Sequence, residues 1–301
     1  MKWNRQRQWI LAVLLLVSSW NLNAQDKDSI NNRRLKIITV TGAGLYTGAF
    51  VGLYHLWYKN YPQSSFHFIN DNDEWMQMDK AGHTFTSYYE GVYGIRMLEW
   101  AGVPSRKAAW YGGLWGMLMQ TPFEVLDGFS AQWGASTGDI IANSVGTAMV
   151  IGQHLKWQDQ RLLLKFSFSP SPFAQHKPKL LGSSLAEQLF KDYNGQTYWL
   201  SGNILALSGH SKIPPWLNLS VGYGADGLLR GTREDQENDP LAFNTIRSRQ
   251  FYLSPDVDLS RIKTRSKVLG TLLDAASFIK IPAPTLEYHE QNGFRFHWLY
   301  F

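Results

Sequence analysis

The hydrophobic pattern of this chain changes period near Arg161, and no single kind of secondary structure suits both patterns. Before that point, apolar stretches carry small residues at four-residue intervals, the spacing of one helical face. After it, apolar and polar residues alternate one by one, as strands do. The expectation is an α+β chain in two parts. A glycine-packed, membrane-associated bundle of about four helices spans residues 35–155, and a β-rich part spans 181–301. A proline-rich linker, 169–180, joins them.

The first predicted helix, Leu35 to Tyr58, carries one full charge, Lys36, at its edge and is long enough to cross a hydrocarbon core. Gly44, Gly48 and Gly52 form one stripe on it. In a water-exposed helix such glycines cost about 1 kcal/mol each, so a close-packing groove is the better reading. Trp57, Tyr58 and Lys59 look like its interfacial end, where His55 also sits. A second helix is expected from Asp79, as N-cap, to Trp100, and a third from Lys107 to Gln120. Residues 121–136 read as irregular. A fourth helix, Gly138 to Leu155, repeats the small-residue stripe with Gly138, Ala142 and Gly146.

Strands are expected at Leu162–Ser169, Tyr198–Leu207, Leu217–Tyr223, Phe251–Leu259 and Thr285–Tyr288, and the chain ends on GFRFHWLYF. An aromatic last residue on an amphipathic last strand resembles the C-terminal signal of outer-membrane β-barrel proteins. Strict alternation, however, puts Arg295 and His297 on the face of Leu299 and Phe301. The strands also fall short of the eight from which bacterial barrels start. A periplasmic β-domain and a barrel both stay open. The run Arg230 to Asp239 mixes charges of both signs and reads as a solvated loop.

Residues 1–24 read as a signal peptide: Lys2, Arg5 and Arg7 precede an apolar core, Ile10 to Val17, and Leu22-Asn23-Ala24 offers a cleavage site. That core is too short for a bilayer, which takes about 20 apolar residues. Only 18% of residues are charged, against roughly 25% in soluble proteins, and 14% are aromatic. Membrane lipid and other envelope proteins are therefore the expected partners. A net charge of +5 without a basic tract gives no footprint for nucleic acid. The absence of cysteine excludes disulfides, thiolate zinc sites and a thiol-linked lipid anchor within this sequence, so attachment must come from the polypeptide. No P-loop, dinucleotide fingerprint or G-x-S-x-G elbow is present.

One polar constellation stands out in the helical part. Asp79 and His83 are one helical turn apart, as are Asp139 and Asn143, and Glu124 and Asp127 share a face if their segment is helical. Ionisable groups near lipid face a bundle interior or a cavity. No motif demands a cofactor, and a divalent metal is the one candidate. His83 would supply a nitrogen ligand and Glu124, Asp127 and Asp139 oxygens. His83, Glu124 and Asp139 are the candidate catalytic groups, with metal-activated water or a His83 general base as the chemistry. The alternative is a structural polar cluster of Asp79, Lys80, His83, Glu124, Asp139 and Asn143, capping and pairing inside the bundle.

The stretch DKAGHTFTSYYEGVYG with PFEVLDGFSAQWGASTGDIIANSVGTAMVIG resembles the YfiM-like family of periplasmic proteins of unknown function, and distantly the VanZ-like membrane proteins. The matching positions are Asp79, Lys80, His83, Glu124, Asp139, Ala142, Asn143 and Gly146, within Leu35 to Gly152. The β-rich part, with DYNGQTYWLS and IPAPTLEY, resembles longer members from Bacteroidota. The resemblance implies a fold and a compartment but no mechanism. Short members are described as lipoproteins, an anchoring that a chain without cysteine does not share. The expectation is an exported cell-envelope protein, outer-membrane-associated or periplasmic rather than in the inner membrane. Its role would be structural or accessory, in outer-membrane assembly or lipid homeostasis. The alternative is a membrane-embedded, metal-dependent hydrolase or transferase acting on an envelope lipid.

Overall fold

The computed structural model describes residues 30–59, 61–203, 213–242 and 244–301, without the side chains of Leu56 and Trp57. The signal peptide, the Trp57 interfacial contact and the end of the strand expected over Tyr198–Leu207 lie outside the described residues. The fold is mixed α+β, with most helices in the first half and an antiparallel sheet in the second.

Among the described residues, the first half holds five helices: α1 (Asn32–Leu53, running into a π-helical turn over Tyr54–Tyr58), α2 (Met78–Trp100), α3 (Ser105–Gly113), α4 (Trp115–Gly128) and α5 (Thr137–Trp157). The third expected helix is thus two, broken at Leu114. The segment expected to be irregular is helical to Gly128 with Pro122 inside it. Glycine packing joins α2 to α5. A Cβ at Gly94 or Gly112 would overlap the other's backbone, one at Gly116 would overlap the Ser87 carbonyl, and one at Gly146 the Thr84 carbonyl. Small side chains let these backbones touch.

The α1 stripe differs. A Cβ at Gly44, Gly48 or Gly52 would meet nothing within 4 Å, so the groove expected there is unused among the described residues. Helix α1 buries only Ile38 and is held by Tyr46 Oη donating to the Met119 carbonyl (2.9 Å) and by Phe50 on Phe123. Among the described residues it alone is long and apolar enough to cross a membrane.

The second half is a six-stranded meander: β3 (Leu162–Phe168), β4 (Gln196–Gly202), β5 (Leu217–Asp226), β6 (Ser248–Val257), β7 (Ala283–His289) and β8 (Gly293–Tyr300), each antiparallel to the next. Two short strands in the first half, β1 (Phe68–Ile69) and β2 (Ala135–Ser136), pair in parallel. The sheet curls strongly. Between β4 and β8 a flat sheet would span roughly 19 Å, yet Tyr300 Oη lies 3.2 Å from Thr197 Oγ1 and donates to Tyr252 Oη at 2.8 Å. The free edge of β3 is covered by the β6–β7 connection, which carries helix α6 (Lys267–Ala275). Phe166 N–H donates to the Phe278 carbonyl and Lys280 N–H to the Phe166 carbonyl.

The expected linker is folded: a 3-10 turn, Pro172–Gln175, and a short helix, Pro178–Leu181, bury Ala174 and Leu181 against Leu229 and Ala242. The run Arg230–Asp239 is not a solvated loop either. It contains a helical turn, and its Asp239 is buried and paired with Lys177 and Arg230. The halves share a core, in which Phe85 and Tyr89 of α2 pack on Phe166, Tyr198 and Phe278.

Candidate functional site

Two features of this architecture bear on function, and the first is the sheet's orientation. Its concave face is polar and buried. Lys165, Asp256 and Lys280 have no exposed side-chain surface, with Lys165 Nζ 2.8 Å and Lys280 Nζ 3.7 Å from the Asp256 carboxylate. Ser201 Oγ donates to the same carboxylate at 2.6 Å, and His297 pairs with Glu287. The convex face is apolar, and its register is continuous. Leu164, Leu200, Val221, Leu253, Leu286 and Phe296 pair in one row across six strands. Beside it, Phe166, Tyr198, Tyr223, Phe251, Tyr288 and Phe294 form a row of aromatics alone. Helix α2 covers the first two aromatics, whereas Phe251, Tyr288 and Phe294 are exposed. A water-soluble sheet buries its apolar face; this one buries its charges instead.

The last strand fits this scheme because of a bulge. Thr285 pairs with His297 and Ala283 with Tyr300, so β8 has one residue more than β7 in this interval. Each residue shifts the side chain to the other face, and the extra one reverses the parity beyond His297. Tyr300 therefore turns inward with His297, while Trp298, Leu299 and Phe301 are exposed. The face conflict read from strict alternation is thereby removed.

The second feature is the polar cluster where α2, α4 and α5 meet. Trp75, Met76 and Gln77, just before α2, have positive φ values of 46, 51 and 63°. Such left-handed conformations cost on the order of 1 kcal/mol each. The β-rich half holds them there: Tyr223 Oη donates to the Met76 carbonyl (2.5 Å), Trp75 N–H to the Gly231 carbonyl (2.7 Å) and Arg249 to Gln77 (3.0 Å). Gln77, not Asp79, is the N-cap, and Asp79 sits in the first turn. The clamped turn aims Asp79 and Lys80 at the start of α5. There Ser136 is the cap, its Oγ accepting the Asp139 N–H at 3.0 Å.

Lys80 Nζ lies among three carboxylates, 2.7 Å from Asp71, 2.8 Å from Asp79 and 2.8 Å from Asp139. Burial works against its charge, but these carboxylates more than reverse that and raise its pKa. His83 stands beside them: Nδ1 is 3.3 Å from Asn143 Oδ1 and 4.0 Å from Glu124 Oε1, and Nε2 is 3.7 Å from Asp139 Oδ1. Glu124 Oε2 accepts the Ser136 N–H at 3.1 Å. Burial, and then the Asp139 charge, push Glu124 up to about 8. Burial also raises Asp127 to about 6 and raises Asp79, with Lys80 opposing the latter shift.

All of the positions singled out from the sequence belong to this region, but they do not form one ligand set. His83, Glu124 and Asp139 offer ligand atoms within 4.8 Å of one another. Asp127 stands outside that group, one turn along α4 from Glu124, and accepts from Tyr58 Oη at 2.8 Å. Two participants escaped sequence reasoning. Asp71, paired in register with nothing helical, arrives through the β1–β2 ladder. Ser136 opens Ser-x-x-Asp, a capping signature that was available before the α5 helix. Beside the cluster, a cavity of about 240 Å³ walled by Phe66, Phe68, Met117, Val125 and Ile140 reaches Glu124 and Asn143.

Residues 68–153 match the model of a family described as predicted periplasmic lipoprotein (DUF2279). The matched stretch holds the whole polar cluster, from Asp71 to Asn143, and ends before the sheet. It supports reading the chain as an exported protein of the cell envelope. No curated protein matches the chain, and no solved structure matches it.

Proposed function

We propose that this chain is an outer-membrane-resident envelope protein with a structural or accessory role in membrane assembly or lipid homeostasis, in line with its YfiM-like resemblance. One observation carries the reading: the convex face of β5–β8 presents an aliphatic row beside an aromatic row to the outside, while Asp256 and Glu287 on these strands' concave face are buried. Outer-membrane strands have this construction, an apolar band edged by aromatics around a polar interior. Strands of up to ten residues, as β5 and β6 are, reach across such a band when tilted. Helix α2, seated on β3 and β4, takes the place of lipid over the remaining strands. In a sequence without cysteine, this face is also the means of attachment.

Density-gradient separation of envelope membranes, followed by a carbonate wash, tests the proposal. The mature protein is expected in the outer-membrane fraction, resistant to the wash, with gel mobility that changes on heating. Recovery in the soluble periplasmic fraction would refute the lipid-facing sheet.

A further inference from the structure

We infer that His83, Glu124 and Asp139 form a binding site for one divalent metal ion of the zinc class. Two acidic triads exist in the cluster, Asp71–Asp79–Asp139 and His83–Glu124–Asp139. The Lys80 ammonium already occupies the first, at 2.7–2.8 Å from each carboxylate. The second shares Asp139 with Lys80, but its Glu124 has no Lys or Arg partner among the described residues. Five carboxyl groups, those of Asp71, Asp79, Glu124, Asp127 and Asp139, stand in this region beside one ammonium and the His83 ring, so a second cation would find oxygen ligands beyond those that Lys80 engages.

The second triad is also poised as a ligand set. Glu124 is only 5% exposed, and while its Oε2 accepts from Ser136, its Oε1 has no hydrogen-bond partner among the described residues and faces His83. Asn143 Oδ1, 3.3 Å from His83 Nδ1, can only accept there, so with Nδ1 donating it is Nε2, 3.7 Å from Asp139 Oδ1, that is offered to an ion. Holding a ligand histidine by its other ring nitrogen is the usual way of fixing its tautomer. Ser136 N–H does the same for Glu124, holding it by Oε2. The ligand atoms lie within 4.8 Å of one another and close onto a tetrahedral ion by moving roughly 1 Å. Three protein ligands leave a fourth position open, as in zinc sites that bind water or substrate. The inference does not depend on the lipid-facing sheet, since a soluble chain would bind the ion equally.

Calorimetric titration of the untagged full chain with Zn²⁺ is the test. One ion per chain is expected, with His83→Gln and Asp139→Asn each weakening binding at least about tenfold. Zinc-edge X-ray absorption on the unmodified chain gives a readout that survives misfolding of either variant. It is expected to show nitrogen and oxygen at about 2.0–2.2 Å with one imidazole ring. No binding, unchanged affinity in both variants, or two or more imidazoles around the ion would overturn the assignment.

Discussion

Arginine at Leu253 separates a sheet that faces lipid from one that faces water. Leu253 lies on β6 at the middle of the aliphatic row, flanked by Val221 and Leu286, and is 44% exposed. In water, a charge at a half-exposed strand position changes stability by about 0.5 kcal/mol or less. At the midplane of a bilayer, arginine on the outer face of a barrel costs about 2–4 kcal/mol, falling to about 0–1 near the interface. The second figure shifts the folding equilibrium by a factor of roughly 30 to 1,000. Phe294→Arg, in the aromatic row beside the β7–β8 turn, belongs to the interfacial class. Leu241→Arg, in a loop away from the sheet, serves as a water-exposed control. Urea titration of the chain folded into phospholipid vesicles, followed by tryptophan fluorescence, is expected to rank the losses as Leu253 well above Phe294, with Leu241 near zero. Three variants within about 0.5 kcal/mol of the parent would remove the argument from the convex face.

Other expectations follow from the helical half. Lys80→Met leaves three carboxylates without their buried cation and is expected to cost on the order of 3–5 kcal/mol in denaturant unfolding, whereas Arg96→Ala, which breaks the open Arg96–Asp274 pair, costs under about 1 kcal/mol. Gly116→Ala forces a methyl into the Ser87 carbonyl and lowers the thermal midpoint, an overpacking loss of about 1–3 kcal/mol; Gly48→Ala on the open stripe of α1 is neutral or gains up to about 1 kcal/mol. Burial raises Glu90 from 4.5 to about 7, with the Gln120 amide opposing. The folded state therefore holds this proton more tightly, so stability declines as pH rises from 4.5 to about 7 and is level above it. Glu90→Gln keeps the contact with Gln120 and is expected to stabilise by up to about 3 kcal/mol at pH 8 and by nothing at pH 4, read from urea midpoints. A gain that is the same at both pH values would show that the Glu90 charge is not its cause.

Much of the element order was legible because periodicity is local. Apolar runs marked α1, α2 and α5, and period-two alternation marked six strands. Errors arose where distant contacts decide. Residues 121–136 read as irregular, but α4 continues through Pro122 to Gly128, with Phe123 packed on Phe50 and Glu124 buried. Asp79 has the chemistry of an N-cap, yet the cap is Gln77, because Tyr223 and Gly231 hold the preceding turn left-handed. Alternation told that the sheet has two faces but not which one is enclosed. The aromatic row becomes visible only once the register of six strands is known, and the β8 bulge, by its parity change, hides the terminal strand's outer face from any simple count. The polar cluster was legible for most of its members, since turn spacing groups them; Asp71 arrives beside a strand pair, which has no such signature, and Ser136 was marked only by its Ser-x-x-Asp capping pattern.

The cover over the β3 edge has a kinetic consequence. Phe166 bonds to Phe278 and Lys280, over a hundred residues further along the chain, and only then are its own edge-facing backbone groups satisfied, whereas Leu162 and Leu164 bond to Gln153, Tyr88 and Tyr89 of the helical half. Closing so long a loop is entropically slow, and contacts between distant positions delay folding generally. The sheet thus cannot be fully sealed early in synthesis: until residues 278–280 are made, β3 is open at Phe166, a partly unpaired edge of the kind that invites aggregation. A chain built this way favours being carried unfolded and completing its sheet at its destination, with the seam as the late step that commits it to the native state.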